Sequence, residues 1–202
     1  MVVLLLEVCI DELRICGAKN LLLDNHGYLK ITDFGFAKIV DLKTFTLCGT
    51  PEYIAPEVIL NRGHGKGFDW WTLGVLIYEM ITGGPPFEGI DQLDLYDKII
   101  VGKIRYPSYY PKDVKILTKR LLMADLTKRY GCLAGGTDDV KKSNWFKNLN
   151  WEALLKKKLK PPIKPATRSE DDTSNFDYFS EEESDDDELF DDDLFESRFD
   201  DF

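Results

Sequence analysis

The sequence predicts a mainly α-helical domain with one short β-hairpin, followed by an extended acidic tail. Three observations support this fold class. A long apolar segment near the middle of the chain has helical length, two short apolar stretches flank a polar turn near residue 25, and acidic residues are concentrated after residue 167. With 202 residues, the chain is long enough to bury a core without covalent cross-links.

The β-hairpin is predicted between residues 21 and 32. Residues 2–9 are apolar and are typical of the end of a helix, whereas Leu21–Leu23 and Tyr28–Thr32 flank the polar sequence Asp24-Asn25-His26-Gly27. A four-residue polar turn between two short apolar runs favours a hairpin. Residues 33–57 show no sustained periodicity, which predicts a loop.

A central buried helix is predicted over residues 70–81. Asp69 is expected to cap it, and the run Gly83-Gly84-Pro85-Pro86 is expected to end it. Because this helix is apolar nearly all round, we expect it in the middle of the domain. Further helices are predicted at about 91–101, 112–123 and 138–146, and the basic, proline-rich residues 156–164 predict an extended segment.

Charge is divided unevenly along the chain. Residues 168–202 contain 17 acidic and 2 basic residues, whereas residues 1–167 contain 19 acidic and 24 basic ones. The acidic segment cannot build a core of its own. The net charge of −10 predicts that nucleic acid is not a partner. No segment has membrane-spanning length, so we do not expect a membrane partner either. Four scattered cysteines favour free thiols and a cytosolic or nuclear location.

Several short motifs occur in a fixed order. Asp33-Phe34-Gly35 follows the predicted hairpin, Asn20 lies thirteen residues before it, and Gly49–Tyr53 and Ala55-Pro56-Glu57 come after it. The tripeptide alone is common, but the ordered set resembles the protein kinases. Similarity to the AGC group of serine/threonine kinases, and within it to the cAMP-dependent catalytic subunits, extends over roughly 90% of the chain. It is carried by Ile31–Lys38, Thr46–Tyr53, Phe68–Trp71 and Asp172–Phe176.

The resemblance implies a domain organisation. Residues 20–150 would form the large C-terminal lobe of a kinase, and residues 151–202 an AGC-type tail that is acidic from residue 168. Residues 1–19 would hold a degenerate or truncated end of a helix and catalytic loop. No glycine-rich loop or strand lysine precedes Asn20, so we expect the small lobe, which holds ATP in this family, to be absent.

The resemblance also implies a site for ATP and Mg²⁺. Asp33 and Asn20 would be the magnesium ligands, and both offer the hard oxygen donors that this ion prefers. Leu22 would form the floor beneath the adenine, although a core leucine explains that position equally well. Asp33 and the tail residue Phe176 would also contact the nucleotide, and Thr50 would support catalysis.

The catalytic loop departs from the family pattern. Counting back from Asn20, Ile15 occupies the position of the catalytic aspartate. A hydrocarbon side chain cannot accept a hydrogen bond from a substrate hydroxyl. An alternative alignment, with about three residues deleted, makes Asp11 the nearest acid without restoring the geometry. We therefore expect weak or absent ATP binding and no phosphotransferase activity from this chain alone.

Two classes of function remain open on this basis. The first is a serine/threonine kinase of the cAMP-dependent type by family. Its small lobe and part of its catalytic loop would be missing through truncation, pseudogene formation or an error in gene prediction. The second is a non-catalytic pseudokinase lobe that docks a substrate or a regulatory subunit. On the family's docking surface, Phe45 and Tyr96 would serve this second role.

Regulatory and substrate-binding positions follow from the same resemblance. Thr46 would carry the activation-loop phosphate, with Lys38 and Arg14 as cationic partners. Glu79 would bind a substrate arginine upstream of the phosphorylated residue. The pocket for the residue just after the phosphorylated one would be lined by Leu47, Pro51 and Ile54.

The remaining expectations concern structure and partners. Glu57 is expected to pair with Arg129 inside the lobe, and Asp69 to accept hydrogen bonds from the catalytic-loop backbone. Phe199 and Phe202 resemble the hydrophobic motif of the group, or are incidental aromatics in an acidic tail. The implied partners are protein substrates, a cAMP-binding regulatory subunit, and an upstream activating kinase that engages the hydrophobic motif.

Overall fold

The computed structural model describes residues 20–33, 43–46, 49–169 and 171–177. The chain divides into two compact units, Met1–Pro165 and Ala166–Phe202. The family resemblance predicts a boundary between lobe and tail after residue 150. Residues 151–165 fall with the first unit, where Trp151 packs edge-on against the buried Phe146 ring, with centroids 5.2 Å apart.

The first unit contains the predicted hairpin. Strand β1 (Leu21–Leu23) pairs antiparallel with β2 (Leu29–Ile31). Asp24 closes the turn, because its Oδ1 accepts hydrogen bonds from the backbone N–H groups of His26 at 3.0 Å and Tyr28 at 2.7 Å. A short polar side chain that satisfies turn amides in this way explains why the polar sequence predicted the turn correctly.

Helices are the main regular secondary structure in the described part of the first unit. They are α1 (Pro56–Ile59), α2 (Gly67–Thr82), α3 (Gln92–Val101), α4 (Lys112–Leu121), α5 (Thr137–Lys141) and α6 (Trp151–Leu155), with 3-10 helices at Pro51–Tyr53 and Asn144–Phe146. The predictions for α3 and α4 agree to within two residues. The helix predicted at 138–146 is two elements instead, because Ser143 interrupts it and caps the following 3-10 turn.

The core surrounds α2. Residues 67–78 of this helix are buried, and the helix packs against α4. The indole of Trp71 stacks on Phe87 with ring centroids 6.0 Å apart. The prediction of a buried central helix is therefore confirmed.

The predicted start of α2 was wrong. Lys66 stands at the N-cap, and Asp69 is the third residue of the helix, with only 5% of its surface exposed. Phe68 is also buried, so the helix begins early enough to place its ring in the core. Burial of this aromatic residue outweighs the weak helical propensity of Gly67.

In the second unit, the described residues form turns. The carboxylate of Asp172 accepts hydrogen bonds from the backbone N–H groups of Arg168 at 2.7 Å and Ser174 at 2.9 Å. Asn175 donates its side-chain N–H to the carbonyl of Ala166 at 2.8 Å. Across the described ranges of the whole chain, none of the helices has the length and apolar character needed to cross a lipid bilayer.

Candidate functional site

The base of the hairpin brings Asn20 and Asp33 together. The register pairs Leu21 with Ile31, so the residues just outside the strands become neighbours. Thr32 holds this arrangement, because its backbone N–H and its hydroxyl both donate to the carbonyl of Asn20, at 2.8 and 3.2 Å. The side chains of Asn20 and Asp33 consequently approach to 3.4 Å between Nδ2 and Oδ2.

These two side chains fit a magnesium ion that is shared with other ligands. A 180° rotation of the Asn20 amide presents its oxygen beside the carboxylate of Asp33, which gives two hard donors. Mg²⁺ commonly takes one or two protein carboxylates and completes its shell with water and substrate phosphates. Within the described ranges, no group of three or more His, Cys, Asp or Glu side chains is gathered. The donor set therefore suits a metal that arrives with a nucleotide.

Asp33 itself adopts a left-handed backbone conformation, with φ of 61°. Few residues other than glycine tolerate this region, although aspartate is among the more tolerant ones. The conformation turns the chain sharply at the end of the hairpin. It also shows that the backbone at this position is specialised, as residues at functional sites often are.

The proposed adenine contacts are exposed. Leu22 lies in β1 and has 41% of its surface exposed, so the alternative interpretation as a core leucine is not supported by the structure. Phe176 belongs to the second unit and is 62% exposed. Contact of either residue with a nucleotide stays a prediction.

Tyr53 and Glu79 define a second part of the site. The hydroxyl of Tyr53, at the end of a 3-10 helix, donates a hydrogen bond to Oε2 of Glu79 in the last turn of α2. Glu79 is half-buried, because it lies near the end of the helix, beyond its fully buried stretch.

The residues around this pair differ in their exposure. Pro51 is half-buried and lines a cleft, whereas Ile54 is 2% exposed and belongs to the core. Three acidic side chains, Glu52, Glu88 and Asp91, line the same cleft as Pro51.

The sequence analysis did not single out these acids or Tyr53. Tyr53 and Glu52 stand inside the motif Gly49–Tyr53 and were thus within reach of the same reasoning. Glu88 and Asp91 lie in a stretch without a recognised pattern, so only the fold brings them to the cleft.

A buried ion pair connects two of the helices that carry residues of the site. Arg129 donates from Nη1 and Nη2 to the two carboxylate oxygens of Glu57, at 2.7 and 2.8 Å. The same guanidinium donates to the carbonyls of Gly67 at 2.9 Å and Met123 at 2.7 Å. The expected pair is therefore present, and it connects α1 with the beginning of α2.

The activation-loop position is accessible. Thr46 is exposed, and its hydroxyl lies 3.3 Å from that of Thr44. Thr44 is buried and forms an isolated antiparallel bridge with His64, with backbone N–O distances of 2.8 and 2.9 Å. Thr50 is also exposed. The chain is thus anchored two residues before Thr46, while the Thr46 side chain itself is exposed.

Several residues named above lie outside the described residues. The expectations that rest on them stay predictions, namely the catalytic-loop substitution with its alternative acid, the cationic partners of Thr46, one wall of the substrate pocket and the hydrophobic motif. They include Asp11, Arg14, Ile15, Lys38, Leu47, Phe199 and Phe202. The catalytic-loop backbone that was expected to donate hydrogen bonds to Asp69 also lies outside the described residues.

Comparison with known proteins identifies the family of the chain. Residues 18–146 match the protein kinase domain. The chain is 52% identical over 165 residues to a cAMP-dependent protein kinase catalytic subunit of Dictyostelium discoideum, covering 82% of this chain and 26% of that protein. It is 53% identical over 165 residues to catalytic subunit 3 of Drosophila melanogaster, covering 82% of this chain and 28% of the relative.

The human catalytic subunit PRKX is 50% identical over 167 residues, which covers 83% of this chain and 47% of PRKX. The chain therefore belongs to the protein kinase family, in the AGC group of serine/threonine kinases. Its sequence is similar to cAMP-dependent catalytic subunits over most of its length. It spans between about a quarter and a half of the length of these three relatives.

Proposed function

We propose that the chain provides the substrate-recognition and magnesium-binding lobe of a cAMP-dependent-type serine/threonine protein kinase. The observation that carries this proposal is the hydrogen bond from Tyr53 to Glu79. Glu52, the neighbour of Tyr53 in the chain, lines a cleft together with Glu88. A neutral hydroxyl orients the Glu79 carboxylate without neutralising its charge. Such a carboxylate is suited to a charge-assisted hydrogen bond with an arginine of a substrate.

The metal part of the proposal rests on Asn20 and Asp33. Bound Mg²⁺ neutralises phosphate charge in phosphoryl transfer and orients the transferred group. In this chain the Thr32 hydrogen bonds hold the two donors at a fixed separation. The exposed Leu22 lies in the strand next to Asn20, where it would contact the adenine from below.

We further propose that this chain does not transfer phosphate by itself. A carboxylate normally orients the attacking hydroxyl, and Ile15 stands at its position in the sequence. The test is a phosphotransfer assay of the purified chain with ATP, Mg²⁺ and a serine peptide that carries upstream arginines. We expect no signal above that of the Asp33→Ala variant. Robust transfer that disappears in Asp33→Ala would overturn the proposed inactivity and retain the metal site.

Recognition is tested separately by binding. The chain should bind the basic serine peptide more tightly than a peptide in which the upstream arginines are alanine. Equal binding of the two peptides would refute the substrate-recognition proposal, whatever the outcome of the activity assay.

A second candidate is a non-catalytic docking module for a cAMP-binding regulatory subunit. It is favoured by Phe45, which is 63% exposed, and by Tyr96, whose hydroxyl accepts a 2.6 Å hydrogen bond from Gln92. An exposed aromatic on a folded lobe is a suitable anchor for a protein partner. Phe45→Ala should weaken capture of a purified regulatory subunit and leave basic-peptide binding unchanged. Separately from this second candidate, we propose that Phe199 and Phe202 engage an upstream activating kinase and that the chain is cytosolic or nuclear.

A further inference from the structure

The last residue of α6 and the segment that follows it are rich in exposed lysines, and we name residues 155–164 the lysine strap. It contains five lysines and no acidic residue. Lys156 pairs with Glu152 just upstream. Lys158, Lys160 and Lys164 are exposed, and none of the ion pairs found among the described residues involves them. Their charges are therefore available to an external partner.

The backbone of the lysine strap is held in place. Lys157 has a φ of 52°, and just after the end of α6 Lys157 and Lys158 donate their N–H groups to the carbonyls of Leu154 and Ala153, both at 2.8 Å. Farther along, the Tyr28 hydroxyl donates to the carbonyl of Leu159 at 3.1 Å. These contacts join the backbone of the strap to α6 at one point and to the hairpin at another.

Two apolar side chains lie at the ends of the lysine strap. Leu155 is 56% exposed and Ile163 is 59% exposed. A surface that presents lysines together with aliphatic side chains is typical of proteins that lie on an anionic membrane, where headgroups take the charges and the acyl boundary takes the apolar groups. A nucleic-acid backbone would use the lysines alone.

We propose that the lysine strap is a docking surface for an anionic phospholipid bilayer. Lys158, Lys160 and Lys164 contact the headgroups, while Leu155 and Ile163 enter the boundary of the acyl region. This proposal goes beyond the kinase function and does not depend on it. It departs from the expectation of no membrane partner, which rested on the lack of a segment of membrane-spanning length.

The chain as a whole has a net charge of −10 and is repelled by an anionic bilayer. Binding to such a bilayer would therefore have to come from the lysine strap. Acidic residues repel an anionic bilayer only within about one Debye length, near 10 Å in ordinary buffer. A chain that followed its net charge would stay in solution at every lipid composition. Binding through the strap requires close contact and should decrease with added salt.

The test uses the full chain and sedimentation with two kinds of vesicle, phosphatidylcholine alone and phosphatidylcholine with about 30% phosphatidylserine. We expect binding to the second kind only. The triple variant K158E/K160E/K164E should bind about 100-fold more weakly, because each lysine near the surface contributes roughly a factor of five. The variant L155S/I163S should bind several-fold more weakly and keep the salt dependence.

A matched control carries the same charge change elsewhere. The variant K103E/K112E/K119E alters three exposed lysines outside the strap and should keep wild-type vesicle binding. An equal loss in this control, or no sedimentation of the wild-type chain with either vesicle, would overturn the proposal. Binding to duplex DNA in place of vesicles, unaffected by L155S/I163S, would also overturn it and assign the strap to a polyanion. Circular dichroism spectra of all variants verify that they are folded.

Discussion

Arg129 and Glu57 are separated by 72 residues in the chain, yet their side chains meet in two parallel hydrogen bonds of 2.7 and 2.8 Å. Both side chains are almost inaccessible, at 0% and 4% exposure. The guanidinium also stands over the indole of Trp71, 5.2 Å from the ring centroid. One residue thus holds α1, the start of α2 and the central tryptophan in a single arrangement.

Breaking this pair should strongly destabilise the lobe. In Arg129→Met the carboxylate of Glu57 stays buried without its partner, and we expect the free energy of unfolding to decrease by about 3–5 kcal/mol. Urea denaturation followed by tryptophan fluorescence measures the change. The double variant Glu57→Leu/Arg129→Met should be less destabilised than the single one, since it leaves no buried charge.

The control for this prediction is an exposed pair. Lys128 lies 2.9 Å from Asp125, with 66% and 42% of the two side chains exposed. Lys128→Ala should change the unfolding free energy by about 0–1 kcal/mol. If Arg129→Met is as mild as Lys128→Ala, the buried pair does not stabilise the lobe as described.

Two glycines with nearly the same backbone conformation allow a test of packing. Gly83 and Gly131 have φ of 85° and 86°. A Cβ at Gly131 would lie 2.2 Å from Cδ2 of Trp70, whereas a Cβ at Gly83 would meet no heavy atom within 4 Å. Gly83→Ala should decrease the unfolding free energy by about 1–2 kcal/mol through the left-handed conformation alone. Gly131→Ala should decrease it by roughly 1–3 kcal/mol more, because the core is overpacked. Equal losses in thermal unfolding experiments would contradict the close approach of Trp70.

Substrate recognition can be tested at the Tyr53–Glu79 hydrogen bond. Glu79→Gln keeps the shape of the side chain and removes its charge, so the affinity for an arginine-containing serine peptide should fall by about 10- to 100-fold. Tyr53→Phe should have a smaller effect in the same direction, because the carboxylate remains but loses its orienting donor. Isothermal titration calorimetry measures both. A peptide without upstream arginine should bind both variants as it binds the wild-type chain, and discrimination that survives in Glu79→Gln would exclude this role.

Acid stability should depend on Asp125. The hydroxyl of Thr127, at 2.6 Å, lowers the pKa of this carboxyl group from its ordinary value of 3.8 to about 2, with further help from Lys128. Because the pKa is lower in the folded state, the stabilisation is complete above pH 3.8 and is lost as the pH falls toward about 2. Thr127→Ala should raise the pKa of Asp125 toward 3.8, as measured by a carbon-detected NMR titration. An unchanged pKa would show that the Thr127 hydroxyl is not the main cause.

The helices and the hairpin were largely predictable because their patterns are local. The turn of Asp24–Gly27 and the long apolar run of α2 each carry their signal within a few neighbouring residues. Helix α6 was missed, because five residues give too little periodicity. Its signal is Asn150, whose side chain caps the helix by accepting a hydrogen bond from the N–H of Ala153 at 2.9 Å.

Only those residues of the site that belong to recognisable sequence motifs were predictable. Asn20, Asp33 and Glu79 were identified from the family resemblance, but no local pattern specifies the left-handed conformation of Asp33. The acids Glu88 and Asp91 become neighbours of Glu52 through the packing of α3 near the Pro51–Tyr53 helix, a long-range relation. Such relations depend on the whole fold, and a stretch without periodicity does not reveal them.

Helix α2 joins the buried ion pair to the carboxylate of Glu79. Gly67 at its first turn accepts a hydrogen bond from Arg129, and Glu79 in its last turn receives one from Tyr53. Twelve residues of α-helix span about 18 Å, and the surrounding core prevents the helix from sliding or rotating. Substitutions near Gly67 should therefore be transmitted to Glu79 as changes in position. Substitutions at the two ends of α2 are therefore coupled, because a substitution at one end limits which substitutions the other end tolerates.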